Sequence, residues 1–231
     1  MIQKIEARQR YRAHQDWLDT YHLFSFANYF DPDNLQFGVL RVFNDDTIGA
    51  FSGFDEHAHD NMEIVTIVLE GELTHRDSLG NQASIKAGEV QRMSAGTGII
   101  HAEKNLKDEP VHLYQLWLLP RTRHARPGYE QKDFSYYPEN QLTPVASGFG
   151  LEGALQMDSA ATIFVGVLEA GKTLEHQVEQ GDGTFIYLQT GALLVNGVQM
   201  EAGDQLRIEE ESALHLQATS QAKFILIDVK L

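Results

Sequence analysis

Apolar residues in this chain fall in short runs broken by turn-forming residues. Strand-like stretches lie near residues 36–43, 63–69, 83–86, 90–93 and 111–119. Glycines punctuate them at Gly49, Gly53, Gly71, Gly80-Asn81, Gly88, Gly96 and Gly98. Many short strands at this spacing predict a β-sandwich or barrel. The apolar run Ile64 to Leu69 is strand length and far below the ~20 residues of a membrane helix.

Residues 120–145 lack clean periodicity. Pro120, Pro127, Pro138 and Pro144 discourage regular structure there, which predicts a linker. A second, degenerate copy of the pattern follows, beginning at Ile163 to Leu168. Leu188-Gln189-Thr190-Gly191-Ala192 mirrors Leu69-Glu70-Gly71-Glu72, and Glu201-Ala202-Gly203-Asp204 mirrors Lys86-Ala87-Gly88-Glu89. Asn196-Gly197 between them is a two-residue hairpin signal. The gap from Gly71 to Gly88 is 17 residues and that from Gly191 to Gly203 is 12, so the second hairpin is tighter.

Composition narrows the class. The 231 residues are 42% hydrophobic, enough for one large β domain or two small ones. There is no cysteine, which excludes disulfides, thiolate metal sites and thiol redox sensing. Net charge is −15. Residues 1–140 hold 14 Lys/Arg against 21 Asp/Glu, and residues 141–231 hold 4 against 12. Neither half offers a basic field for phosphate backbones, so direct nucleic-acid binding is not expected. The local cluster Arg121, Arg123, His124 and Arg126 reads as a solvated linker loop. Met1 to His14 is polar and has no apolar core of a secretory signal, so a cytoplasmic location without membrane insertion is the expectation.

The chemistry concentrates in two patterns, His57-Ala58-His59-Asp60-Asn61-Met62-Glu63 and Gly96-Thr97-Gly98-Ile99-Ile100-His101-Ala102-Glu103. In a strand, residues i and i+2 share a face. His57 and His59 therefore point together, as do His101 and Glu103. Two antiparallel strands across the mouth of a small barrel can aim all four at one point. Three imidazoles and one carboxylate suit a borderline divalent metal and leave positions open on a six-coordinate ion. Iron(II), manganese, nickel, copper(II) and zinc all fit such a shell, and affinity order does not choose among them. Strand proximity and parity nominate Phe51, Phe54, Met62, Gln115 and Trp117 as the pocket lining.

The two patterns resemble the motifs of the cupin superfamily. Gly53, His57, His59, Glu63 and Gly71 match the first motif with slightly altered spacing. Gly88, Ser94-Ala95-Gly96, His101 and Asn105 match the second, with Ser94 where proline is usual. Within the cupins the chain is similar to pirin. Trp17-Leu18 and His22-Leu23-Phe24-Ser25-Phe26-Ala27-Asn28-Tyr29-Phe30-Asp31-Pro32 carry the likeness, and Leu40-Arg41-Val42-Phe43-Asn44-Asp45-Asp46 extends it. His75-Arg76-Asp77-Ser78-Leu79-Gly80-Asn81, Ser94-Ala95-Gly96-Thr97-Gly98-Ile99 and Gln115-Leu116-Trp117 continue it. It is close over residues 13–120 and weaker beyond.

The resemblance implies an all-β bicupin, two double-stranded β-helix (jelly-roll) barrels. Residues 1–130 would form the N-terminal metal-binding barrel and residues 131–231 a degenerate barrel without metal. It implies one divalent metal, iron(II) first among the candidates, held by His57, His59, His101 and a glutamate. Many cupins use the first-motif glutamate, here Glu63. Pirin-like proteins use the one two residues after the second-motif histidine, here Glu103. Glu63 shares parity with His57 and His59, but the strand that begins there is apolar on both faces, which points Glu63 to other partners and favours Glu103.

Some pirin-like proteins are quercetin 2,3-dioxygenases. The implied activity is therefore opening of an aromatic chelating flavonol by O2 with loss of carbon monoxide, with Glu103 as catalytic base. The alternative is a non-enzymatic, metal-dependent regulator acting through a protein partner. An open pocket beside the metal distinguishes the first from the second.

In the second copy, the offsets of His57, His59, His101 and Glu103 fall on Gln177, Glu179, Leu216 and Ala218. His176 and His215 are one position off and read as surface residues. His14, His22 and His124 are expected in solvent or in local hydrogen bonds. His75 is expected to cap a turn, and His112 could face either side of its strand.

Overall fold

A computed structural model describes residues 1–231. No α-helix occurs, and the single helical turn is a 3-10 segment at Ala7–Gln9. No helix is long and apolar enough to cross a membrane.

The first half comprises β1 (Ile2–Ile5), β2 (Tyr11–His14), β3 (Leu18–His22), β4 (Leu40–Ile48), β5 (Gly53–His59), β6 (Glu63–Glu70), β7 (Glu72–Asp77), β8 (Gln82–Lys86), β9 (Glu89–Ser94), β10 (Ile99–Lys104), β11 (Val111–Leu118) and β12 (Gly128–Asp133). The second comprises β13 (Gln141–Ser147), β14 (Leu155–Gln156), β15 (Ala161–Leu168), β16 (Thr173–Gln177), β17 (Asp182–Thr190), β18 (Ala192–Val195), β19 (Val198–Glu201), β20 (Gln205–Glu209), β21 (Ala213–Ala218) and β22 (Ala222–Lys230).

Each half pairs a large sheet with a small one. The first barrel joins β12-β9-β6-β11-β4-β3-β2 to β5-β10-β7-β8. The second joins β1-β20-β17-β22-β15-β13-β14 to β16-β21-β18-β19. The fold is thus the all-β bicupin that the resemblance implied. Asn196 and Gly197 both take positive φ, 44° and 84°, as the two-residue turn between β18 and β19 requires.

The barrels stack through their large sheets. One apolar cluster of 24 buried residues joins Val65, Ile67, Tyr114 and Leu116 of the first large sheet to Val165, Phe185, Tyr187 and Ile225 of the second. The next residues along those strands turn into the lumens: Ile64 and Val68 into the first, Ile186, Leu188 and Leu226 into the second. A strand buried on both faces reads as a continuous apolar run rather than an alternating one, which explains Ile64 to Leu69. Polar groups also cross the interface. The Tyr187 hydroxyl donates to Asp45 Oδ2 at 2.6 Å, and Arg10 reaches both.

Three expectations shift. The strand foreseen at 36–43 runs instead as β4, Leu40–Ile48. Asn44-Asp45-Asp46 is polar, yet each side chain finds polar surroundings within the strand: Asn44 at His22, Asp45 at Tyr187 and His112, Asp46 in the lumen cavity. The expected linker contains two strands, β12 and the start of β13. Pro144 is tolerated because it sits at a register shift on β13, outside the two residues that pair with β14. The division foreseen between residues 130 and 131 falls inside β12, which pairs along its whole length with β9, while β1 pairs with β20 of the second barrel.

Candidate metal centre

The site is built on three strands of the small sheet, β5, β7 and β10, and two of the large, β9 and β11. His57 pairs with His101 across β5 and β10, and His101 pairs in turn with Asp77 on β7. Gly53 brings β5 against β10 at Glu103. Its φ is +143°, and a Cβ there would lie 2.3 Å from the Glu103 carbonyl oxygen, so only glycine fits. A register shift between His101 and Glu103 on the β5 side marks the same place. Bulges of this kind re-aim side chains beside functional sites.

The three histidines converge. Ring centroids are 4.4 Å apart for His57–His101, 4.8 Å for His57–His59 and 4.9 Å for His59–His101. One nitrogen from each lies within 4.8 Å of the others. The Nδ1 of His57 is 2.7 Å from the Asp55 carbonyl oxygen, which leaves Nε2 for the cluster. Both ring nitrogens of His101 are buried without a hydrogen-bond partner. Burial, then the neighbouring His57 and His75 rings, push His101 down to about 3. Burial, then the His101 and His57 rings, push His59 down to about 4. Neutral imidazoles are the form that ligates metal. Unpartnered nitrogens, mutual proximity and the lack of thiolate together fit a divalent transition metal.

Glu103 is buried, and two amides hold it. Gln115 Nε2 donates to Oε2 at 2.7 Å and Gln91 Nε2 to Oε1 at 3.1 Å. The Trp117 indole N–H donates to Gln115 Oε1 at 3.0 Å, which fixes the orientation of that amide. The carboxylate lies within 4.8 Å of nitrogens of His101 and His75, while the tight trio of His57, His59 and His101 does not include it. Glu63 is elsewhere. Its Oε2 accepts from the Ser94 hydroxyl at 2.8 Å, and burial raises its pKa.

A cavity of about 260 Å³ opens beside the cluster, lined by His57, His59 and Glu103. Phe54, Gln115 and Trp117, nominated from parity, line it. Two nominated residues do not. Phe51 takes a positive φ of 52° in the turn before β5 and is 72% exposed. Met62 packs against the cluster of Ile64, Met93, Ala95 and Ile99.

Other residues escaped sequence reading. His22 is buried rather than solvated, bonds Asn44 at 3.0 Å and lines the cavity with Thr20 and Asp46. Burial pushes Asp46 up to about 7. Its parity with Ile48, a lumen residue of β4, and with Val42, opposite the cavity-lining Trp117, was the available signal. His75 is not a turn cap but a fully buried residue in the wall behind His101, sharing parity with buried Leu73. His112 bonds Asp45 Oδ1 at 2.7 Å. His176 is not on the surface either. It bonds Asp228 Oδ2 at 2.7 Å with its side chain 12% exposed, whereas His215 is exposed as expected. Both groups spaced for an ion, His57-His59-His101 and His75-His101-Glu103, lie in the first barrel.

Comparison with known proteins agrees with this architecture. Residues 4–118 match the family described as Pirin, and residues 144–229 match the one described as Quercetinase C-terminal cupin domain. A protein of Escherichia coli K12 named quercetin 2,3-dioxygenase is 40% identical over 230 residues, covering 99% of both chains. A pirin-like protein of Caulobacter vibrioides is 38% identical over 94% of both chains. Among solved structures, the bacterial pirin YhhW of E. coli in complex with nickel(II) superposes with a TM-score of 0.95 at 39% identity, covering 100% of this chain and 99% of the other.

Proposed function

This chain belongs to the pirin family, and we propose that it is a metal-dependent quercetin 2,3-dioxygenase that opens a flavonol with O2. The observation that supports the reading is the cavity, lined by His57, His59 and Glu103 together with the aromatic Phe26, Phe54 and Trp117, beside the third histidine of the cluster, His101. An open pocket is what an enzyme needs and a sealed regulatory ion does not. Of the ions the donor set accepts, we propose iron(II), with nickel(II) as its competitor. The reading includes a cytoplasmic location and no direct nucleic-acid partner.

In this reading His57, His59, His101 and Glu103 hold the ion. A divalent ion held there would supply Lewis-acid chemistry, making a flavonol 3-hydroxyl more acidic. The protein's own groups do the rest. Glu103 receives the 3-hydroxyl proton as general base. Gln91 and Gln115 keep both its oxygens aimed, so little reorganisation accompanies proton transfer. Trp117 stands edge-on to His59 at 4.7 Å and to Phe26 at 5.2 Å, forming a wall for a flat ring system. Phe54 and Leu18 add apolar surface to a lining that also carries Thr20, His22, Asn44 and Asp46. Ring opening then consumes O2 and releases carbon monoxide, chemistry that belongs to substrate and oxygen once the proton is gone.

An oxygen electrode tests the reading. Iron-, nickel- and manganese-loaded protein are each given quercetin, and O2 uptake is expected with at least one. Flat traces in all three, with metal confirmed bound, overturn the enzyme reading.

A further inference from the structure

The strand behind the histidine cluster carries a pair to which the reading above gives no role. His75 and Asp77 lie on β7, opposite Glu103 and His101 of β10, and both side chains are fully buried. Asp77 is fixed from several directions. Its Oδ1 accepts the backbone N–H of Leu79 at 2.9 Å and of Asn81 at 3.1 Å, and its Oδ2 accepts Nδ2 of Asn81 at 2.8 Å. The same Oδ2 is 3.0 Å from His75 Nε2. An ionised carboxylate only accepts, so this contact places the His75 proton on Nε2 and leaves a lone pair on Nδ1. The ring also stacks on Tyr129, with centroids 4.7 Å apart and planes at 27°.

That lone pair has nowhere to go within the wall. His75 Nδ1 is buried without a partner, as are both nitrogens of His101. One nitrogen of each ring, with an oxygen of Glu103, lies within 4.8 Å of the others. His57 differs, because the Asp55 carbonyl oxygen already takes its second nitrogen. His101 has no such backbone acceptor.

We propose that His75, locked by Asp77, is a positioning residue for His101. When one nitrogen of His101 is given to the metal, its other N–H is donated to His75 Nδ1, closing a His101–His75–Asp77 chain. The proposal rests on the reading of His57, His59 and His101 as metal ligands. The chain sets the tautomer and plane of His101 and places a fixed negative charge behind it, which makes the imidazole a stronger donor. His75 does not line the cavity and touches no substrate.

The test uses nickel(II) and the full chain. In the paramagnetic nickel protein, the N–H protons of ligating imidazoles are shifted far from the diamagnetic range. Three exchangeable shifted signals are expected, with that of His101 slow to exchange. His75→Phe keeps a ring and removes the acceptor. It should weaken nickel affinity by about 10- to 100-fold, the scale for losing an outer-shell partner, and speed exchange of that one signal, while leaving one nickel per chain at saturation. Asp77→Asn should act in the same direction with smaller size. His75→Gln, whose amide oxygen can accept in place of Nδ1, should recover most of the affinity and cover the case in which His75→Phe fails to fold.

Wild-type affinity and unchanged exchange in both His75→Phe and Asp77→Asn would overturn the proposal. Four shifted N–H signals in the wild type would do so too, by making His75 a ligand. If nickel binding survives in a His57→Ala/His59→Ala chain, the failure belongs to the underlying metal reading instead.

Discussion

The two barrels share a framework and differ in what fills it. In the second, Leu188, Leu193, Leu206, Leu214, Leu216 and Leu226 belong to one lumen cluster of 15 buried residues. In the first, the lumen apolar groups separate into clusters of seven and four. His57, His59, His101 and Glu103, with Gln91 and Gln115, occupy the lumen between these groups. The paired strands show the change most clearly. On β10 the inward residues are Ile99, His101 and Glu103, whereas on β21 they are Leu214, Leu216 and Ala218. A cupin barrel therefore needs no special architecture to hold a metal. It needs a few polar residues on inward positions of two neighbouring strands, and it gives up a continuous apolar core to accommodate them. Buried nitrogens without partners are the local cost, about 1–3 kcal/mol each, and a bound metal offsets it.

The contrast can be broken most completely at the histidines. His57→Ala/His59→Ala should abolish metal retention, measured by elemental analysis of purified protein, while His176→Ala/His215→Ala should leave the metal content unchanged. Metal retained by the first variant would remove the distinction between the barrels. Next in size is the core of the second barrel. Leu216 is fully buried, and Leu216→Ala should cost about 2–5 kcal/mol in denaturant unfolding with the metal content of the folded protein preserved. A loss under 1 kcal/mol would mean that this lumen is not close-packed.

The polar lumen should also appear in the pH dependence of stability. Asp46 is pushed from 3.8 up to about 7, so between these values the folded state holds a proton that the unfolded state has released. Its contribution is present in full below about 4 and is lost as pH rises through about 7. Asp46→Asn lacks this loss. Its stability relative to wild type should rise across pH 4 to 7 and level off above, by at most roughly 4 kcal/mol. A pH-independent difference would contradict the burial argument. Smallest in free energy is Glu103→Gln, which should cut O2 uptake by about 10²-fold, the scale for losing a general base. It should lower metal content less than His101→Ala does. Equal metal loss in the two variants would make Glu103 chiefly a ligand.

Much of this was legible in the sequence, for identifiable reasons. His57, His59 and His101 obey the i, i+2 alternation of strands, and alternation survives folding whatever the barrel's details. Glu103 was legible by the same rule, and Glu63 was set aside because its strand is apolar on both faces. Residues on turns were not legible. Phe51 and Met62 lie beside β5 at its two ends, where parity stops and local φ decides direction. The predicted strand ends at residue 43 because the partners of Asn44 and Asp45, namely His22, His112 and Tyr187, come from other strands. His75 and Asp77 sit next to the turn at Ser78–Gly80, and their role depends on β7 lying beside β10, which no local pattern reveals. His176 was misjudged for a related reason: Asp228, its partner, is 52 residues away.

The asymmetry between the barrels is tested most directly by anomalous diffraction from crystals of the nickel- or iron-loaded protein, collected at the metal edge. One peak per chain is expected in the first barrel, about 2.0–2.3 Å from nitrogens of His57, His59 and His101 and beside Glu103. A peak in the second barrel, or a peak in the first that none of these histidines touches, would contradict the account.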